Sequence, residues 1–248
     1  MKRLFPFSVE YLENVVFAEV LRLVRNGRSE MSYKKSSMDG NGVRAVSKRF
    51  RVHHDSTVET LLLVGLSVRA PLPFPSDWSR FAALRKIRIL NSKDLLDLSP
   101  LSSCSTLTSL ELNSCGNITG TDVQNLAPLS TCRAITKLIV DFCCKVTDIS
   151  VVAHLAALEF LSVVRCRLVR DFSAIASCHA LVRLYMLDVL IDDVSPIARC
   201  SALEFLNIES CSNIVDVSPL ARCQSLRCLS LHHELQTDCF ASSVKIDR

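Results

Sequence analysis

The chain has 248 residues, of which 49% are hydrophobic and 22% charged, enough apolar material for one sizeable core and near the upper end for a single compact domain. Aromatic residues make up only 6% and glycines number six, so the core has to be built from Leu, Ile, Val, Ala and Cys, which is a repeat-protein composition. The net charge of +4 is unevenly placed: residues 1–56 carry 11 Lys/Arg against 6 Asp/Glu, a net of +5, which leaves 18 against 19, or −1, for residues 57–248, so nucleic-acid binding is disfavoured.

Taken in chain order, Lys2-Arg3-Leu4-Phe5-Pro6-Phe7 briefly imitates a secretory leader, but Glu10, Glu13 and Glu19 interrupt the apolar run. No stretch approaches the roughly 20 apolar residues of a membrane span, so the expectation is a soluble, cytoplasmic protein with no membrane span. Val9, Leu12, Val16, Val20 and Leu23 recur at three- and four-residue spacing and predict an amphipathic helix over residues 10–25. Residues 27–42, rich in Ser, Gly and Lys, read as a loop or linker. Residues 1–57 are therefore expected to form a helical N-terminal cap and basic linker region that shields the open edge of the core beginning at residue 58.

From there the sequence repeats. Leu107-x-x-Leu110-x-Leu112-x-x-Cys115 aligns with Leu203-x-x-Leu206-x-Ile208-x-x-Cys211, and the same frame fits Ile135, Leu138, Val140, Cys143 and Leu158, Leu161, Val163, Cys166. It continues without the cysteine at Leu181, Leu184, Met186, at Leu84, Ile87, Ile89 and at Leu226, Leu229, Leu231. The starts at 84, 107, 135, 158, 181, 203 and 226 give spacings of 23, 28, 23, 23, 22 and 23, with Val58, Leu61, Leu63 as a degenerate eighth unit in front. Alternation over Leu-x-Leu predicts a short strand in each unit. The second half carries Asp216-Val217-Ser218-Pro219-Leu220, Asp193-Val194-Ser195-Pro196-Ile197 and Asp97-Leu98-Ser99-Pro100-Leu101, with Asp148-Ile149-Ser150 and Asp171-Phe172-Ser173 lacking the proline. Serine is a favoured helix N-cap and proline suits the first helical position, so a short helical or 3₁₀ segment is expected to start at each serine, with the aspartates, one per unit, making turn and cap hydrogen bonds.

This frame resembles the leucine-rich-repeat family over about residues 58–231. The Asp-x-Ser-Pro-Leu half resembles the short repeats of internalin-like proteins. Cys115-Gly116-Asn117-Ile118-Thr119 and its longer unit resemble the cysteine-containing repeats of F-box proteins, and similar arrays occur among kinetoplastid repeat proteins. The resemblance implies an α/β leucine-rich-repeat solenoid of seven or eight units: a curved parallel sheet on the concave side, short helical or 3₁₀ segments on the convex side, and protein partners recognised on the concave face. Val43-Arg44-Ala45-Val46-Ser47-Lys48-Arg49-Phe50 and Phe5-Pro6 resemble the end and start of an F-box, with Phe50 where that motif has Trp and a longer stretch between. A substrate-receptor subunit of a ubiquitin ligase is thus one alternative. An extracellular or surface recognition protein is the other, favoured by the glycosylation-type triplet Asn117-Ile118-Thr119.

Nine of the twelve cysteines fall into two columns: Cys115, Cys143, Cys166 and Cys211 after the strand, and Cys104, Cys132, Cys178, Cys200 and Cys223 three residues before a unit start, where Phe81 and Leu155 stand in other units. A column shared with Phe and Leu is a core column, and a free thiol packs there as a small hydrophobe. Adjacent units lie roughly 5 Å apart, within disulfide reach, so compartment decides, and without a secretory leader reduced thiols are expected. No Cys-x-x-Cys pair is present, and His232-His233-Glu234 has the wrong spacing for two ligands on one helical face, so neither a metal nor another cofactor is expected. No nucleophile elbow, phosphate loop or dinucleotide fingerprint occurs, and no catalytic residue is assigned.

Residues 232–248 lose the frame and read as an irregular tail, partly disordered from about Thr237. The candidate site comes from strand alternation. With Leu161 and Val163 inward, Phe160, Ser162 and Val164 face the concave side, as do Lys137, Ile139 and Asp141; Arg183, Tyr185 and Leu187; and Phe205, Asn207 and Glu209. The expected partner-binding residues are Lys137, Ile139, Asp141, Phe160, Val164, Arg183, Tyr185, Leu187, Phe205 and Glu209, an apolar centre with a charged rim, while earlier strands offer Lys86, Arg88, Ser109, Glu111 and Asn113. Cover by the chain's own terminal segments, or self-association through this patch, is the competing reading.

Overall fold

Stacking of the repeat is the organising event, because one unit cannot bury its own apolar face and must lean on a neighbour. The computed structural model describes residues 30–34, 59–64, 82–90, 98–115, 126–232 and 235–247. Within them ten strands form one parallel sheet in strict chain order: β1 Glu30–Lys34, β2 Thr60–Val64, β3 Lys86–Leu90, β4 Ser109–Asn113, β5 Lys137–Asp141, β6 Phe160–Ser162, β7 Arg183–Tyr185, β8 Phe205–Asn207, β9 Cys228–Ser230 and β10 Lys245–Asp247. Short 3₁₀ turns return the chain on the opposite side, at Ser99–Ser103, Ala127–Thr131, Ser150–His154, Ser173–Ser177, Ile197–Arg199 and Ser218–Arg222.

The register joins like positions: Leu110, Leu138, Leu161, Leu184, Leu206 and Leu229 are successive partners across the sheet. All six are fully buried, and so are the unit starts Leu84, Leu107, Ile135, Leu158, Leu181 and Leu203. The unit beginning at Leu158 sends eight side chains inward, Leu158, Leu161, Val163, Cys166, Val169, Phe172, Ile175 and Cys178, none more than 3% exposed. The degenerate unit at Val58 also takes its place, with Leu61 opposite Ile87 and Leu63 opposite Ile89. Among the described residues no helix is long and apolar enough to cross a membrane.

Two expectations about the ends need revision. Glu30–Lys34, inside the stretch read as a linker, is a strand that pairs in parallel with β2. Residues 232–248 are not simply irregular: β10 pairs with β9, and Leu235, Phe240, Val244 and Ile246 pack against the core. Alternation in Val244-Lys245-Ile246-Asp247 supplies the inward side chains, so the tail adds a further layer to the sheet. The helix expected over residues 10–25 and the F-box-like segments at Phe5-Pro6 and 43–50 lie outside the described residues.

The Asp-x-Ser half is built differently from the expected serine cap. Among the described residues no 3₁₀ turn has a side-chain N-cap bond, and the residue before the serine is the boundary residue, Ile149 before Ser150 and Val217 before Ser218. The aspartate is the acceptor instead: the amides of Ser150, Ser173, Ser195 and Ser218 donate to Oδ1 of Asp148, Asp171, Asp193 and Asp216 at 2.7–2.8 Å. These are Asx turns, which fix the chain's entry into the 3₁₀ segment. The hydroxyl and amide of the serine hold Asp171 and Asp193 below the usual carboxylate range, and at Asp216 the amide contributes most. Proline keeps its expected place near the start of the turns at Ser99, Ala127 and Ser218.

Both cysteine columns are core and both reach back one unit. Cys115, Cys143, Cys166 and Cys211 donate through sulfur to the carbonyls of Ile89, Leu112, Val140 and Met186, at 3.4, 3.6, 3.0 and 2.8 Å. Cys132, Cys178, Cys200 and Cys223 do the same to Leu101, Val152, Ile175 and Ile197 at 3.2–3.7 Å. Burial pushes the thiols of Cys104 and Cys178 up to about 11 and those of Cys166 and Cys200 up to about 12. A native state that keeps these protons while the unfolded chain releases them loses stability as pH rises from about 9 through 12. In the reduced native protein an alkylating reagent at pH 8 should therefore modify the exposed Cys144 and Cys239 first and the half-exposed Cys228 more slowly, leaving the nine column thiols intact until denaturant is added. Rapid native labelling of Cys166 or Cys200, read by peptide mass spectrometry, would contradict this packing.

Five strands are followed by a corner residue with positive φ: Ser114 (54°), Phe142 (57°), Arg165 (57°), Asp188 (53°) and Ser210 (60°). None is glycine, so each carries the left-handed penalty of about 1–2 kcal/mol. The conformation persists because it aims the amide at the next unit, Ser114 to Asp141, Phe142 to Val164 and Arg165 to Leu187, at 2.7–2.9 Å. Ser210→Gly removes the penalty at the cost of a looser unfolded chain, about 0.4–1 kcal/mol, and should raise the melting temperature by about 1–3 °C. Ser210→Val, which is β-branched, should lower it.

Candidate functional site

The parallel register lays the outward side chains of the sheet in columns. The first runs Lys86, Ser109, Lys137, Phe160, Arg183, Phe205, Cys228, Lys245, and the second Arg88, Glu111, Ile139, Ser162, Tyr185, Asn207, Ser230, Asp247. A third, at the strand ends, holds Leu90, Asn113 and Asp141, continued by Val164, Leu187 and Glu209 beyond β6, β7 and β8. All ten residues expected at the site lie in these columns, across β5 to β8.

At the centre the structure brings three rings together. Phe160 and Tyr185 have centroids 5.4 Å apart at 31°, and Tyr185 and Phe205 are 5.0 Å apart at 32°. Because Tyr185 sits in the second column and the two phenylalanines in the first, the rings form a zigzag across three strands, each half-buried by the others. Lys137 Nζ lies 5.0 Å from the Phe160 centroid, a cation–π contact that extends the ladder by one strand. Ile139, Val164 and Leu187 flank it, half-buried.

The charged rim is less uniform than its sequence suggests. Asp141 turns onto the neighbouring strand, where its Oδ1 accepts the Ser162 hydroxyl at 2.8 Å and the Val164 amide at 3.1 Å. Burial raises its carboxyl above the usual value, opposed by those two hydrogen bonds. Asp141 is thus committed to holding β6 in place. Arg183 is exposed and, among the described residues, its side chain has no ion pair or hydrogen bond. Glu209 is half-buried at the third column, its amide held by Asn207 Oδ1 at 2.9 Å.

Two further charged contacts border the face. Arg88 and Glu111, adjacent in the second column, form a two-pronged pair with Nε to Oε2 at 2.7 Å, closing off the charge of the earlier strands. At the corners, Asp188 receives Arg167 in a bidentate contact at 2.7–3.0 Å, with Arg165 at 3.5 Å. The first was visible as Arg88 and Glu111 in like positions of successive units. The second was hidden because the corner residues share no chemistry. Among the described residues no group of three His, Cys, Asp or Glu is placed to hold a metal ion.

A parallel sheet built from Leu-x-x-Leu-x-Leu units, backed by 3₁₀ turns and stitched by core cysteines, is a leucine-rich-repeat solenoid, and that is the fold of this chain. No protein-family model matches the sequence, and no curated protein matches it. Solved structures do: internalin C2 from Listeria monocytogenes is 21% identical, with 94% of this chain and 99% of that one covered at a TM-score of 0.55. The leucine-rich-repeat domain of the type III effector XopL is 15% identical, with 100% and 96% covered at 0.56. At these identities the likeness is one of fold.

Proposed function

We propose that the protein is a non-enzymatic recognition module that binds a protein partner on the concave face, centred on Phe160, Tyr185 and Phe205. The single observation that carries this reading is the ring ladder: three aromatic side chains in mutual contact on an open sheet face, with Lys137 over one end. Solvent-facing aromatic clusters cost solubility and are the side chains that dominate binding energy when a partner covers them. Val164, Leu187 and Ile139 enlarge the apolar centre, and Lys137, Arg183, Asp141 and Glu209 border it. The thiol columns favour a reducing, cytoplasmic setting, because eight of the nine sulfurs donate to a carbonyl one unit back and a disulfide would remove that donor.

The test is affinity capture with the intact chain compared with Phe160→Glu and Tyr185→Ala, each first checked for a cooperative melt close to that of the parent. The expected result is a captured protein that both variants lose. A partner held equally by the parent and both variants would move the site elsewhere. The compartment reading is checked separately by counting free thiols in the denatured, unreduced protein, where fewer than the twelve in the sequence would contradict it.

A further inference from the structure

The first concave column alternates in character over four consecutive strands: Lys137, Phe160, Arg183, Phe205. Its two cations differ in setting from the acids around them. Lys137 lies over the Phe160 ring rather than against a carboxylate, and Arg183 has no ion pair among the described residues. By contrast Asp141 is taken up by Ser162 and Val164, and Glu111 by Arg88. Glu159 and Glu204 stand one residue ahead of the column at its margin, Glu204 being 3.9 Å from Arg227, and Glu209 lies at the far margin. Over the rings themselves the charge that remains available is positive.

Resting on the concave-face reading above, we infer that the partner presents an extended acidic segment, with two carboxylates about three residues apart, laid across β5 to β8 so that they meet Lys137 and Arg183 while the residues between lie on Phe160 and Tyr185. The spacing is set by the sheet. Lys137 and Arg183 are two strands apart, about 9.6 Å at the usual inter-strand distance. An extended polyproline-like segment advances about 3.1 Å per residue, so positions three apart repeat at about 9.3 Å on one face. The same period sets Phe160 against Phe205. A guanidinium and an ammonium that have no carboxylate of their own among the described residues are suited to carboxylates brought from outside.

Charge also decides against the two occupants nearest to hand. The chain's own first 56 residues hold Glu10 and Glu13 three apart but carry a net +5, the same sign as Lys137 and Arg183, which weakens their attraction to this face. A second copy meeting this face with its own would oppose cation to cation across the rings.

The experiment titrates the full chain with three fluorescein-labelled peptides of one length and proline content: one with glutamates three residues apart around a leucine, one with glutamines in their place, and one with lysines. The acidic peptide should bind at least ten times more tightly than the glutamine peptide, and the lysine peptide should not bind. Lys137→Gln and Arg183→Gln should each weaken the acidic peptide about tenfold and the glutamine peptide less than about threefold, since the main loss is of charge. Tyr185→Ala should weaken both. Equal binding of acidic and glutamine peptides, preference for the lysine peptide, or indifference to Lys137→Gln and Arg183→Gln would overturn the inference. If no peptide binds yet Phe160→Glu still releases the captured protein, the acidic-segment inference fails and the concave-face reading stands. If Phe160→Glu also retains the captured protein, both fail.

Discussion

Leu161→Asp should abolish cooperative unfolding, while Phe160→Glu, one residue earlier on the same strand, should keep the melting temperature within about 4 °C of the parent. Leu161 is fully buried in the middle of β6, between Leu138 and Leu184. Replacing it by a carboxylate removes a core side chain, worth about 2.7–5 kcal/mol in comparable positions, and adds the several kcal/mol cost of an unpaired buried charge. Against a total stability of roughly 5–15 kcal/mol that is decisive. Phe160 instead gives up ring contact with Tyr185 and the Lys137 cation–π contact, each about 0.5–1.5 kcal/mol, and a glutamate there gains Lys137 as a neighbour. Circular dichroism melts of the two variants make the comparison. Equal destabilisation would mean that the strand frame is wrong, and the concave site would fall with it.

Deleting residues 203–225, one whole unit, should leave a folded but shorter solenoid. The cut joins Ala202 to Leu226, and both flanking units keep the same frame: Leu184 would face Leu229 where it now faces Leu206. Stability in such arrays is close to a sum of unit and interface contributions, so the melting temperature should fall without loss of cooperativity. The denaturant m-value should drop roughly in proportion to the residues removed, about one tenth. An aggregated or molten product would show that the array depends on contacts beyond nearest neighbours. The deletion also removes Phe205 and Asn207, so it should weaken ligand binding even where the fold survives.

The parts of this structure legible in the sequence are those that every unit repeats. Leu158, Leu161 and Val163 recur in frame along the chain, and a side-chain period of two then assigns Phe160 and Tyr185 to the other face. The cysteine columns were legible for the same reason, since Leu155 in a position otherwise held by cysteine marks it as core. Features that occur once were not legible. The final turn replaces the frame with Leu235, Phe240, Val244 and Ile246 at irregular intervals, so β10 had no template to be matched against. The choice between Asp and Ser as the turn's acceptor was open because either side chain carries a suitable oxygen, and only backbone geometry selects the aspartate. The left-handed corners left no trace, since Ser114, Phe142, Arg165, Asp188 and Ser210 have only their dihedral in common. Alternation placed Asp141 on the concave face, but its inward turn depends on a hydroxyl one unit away, at Ser162.

The strands are not equally long. β3, β4 and β5 have five residues each, whereas β6 to β10 have three. Where the later strands stop, side chains take over the backbone's work, Asp141 holding the Val164 amide and Asn207 that of Glu209, and the Asp188 amide reaches the Glu209 carbonyl only at 3.4 Å. Such substitutes open more readily than a continuous ladder, so amide exchange at Val164, Asp188 and Glu209 should outpace that at Leu112 and Val140. The ring ladder therefore has a stiff floor toward the amino-terminal units and a pliant lip at the ends of β6, β7 and β8, and a ligand slightly too broad for the groove would be accommodated by the lip while the rings keep their places.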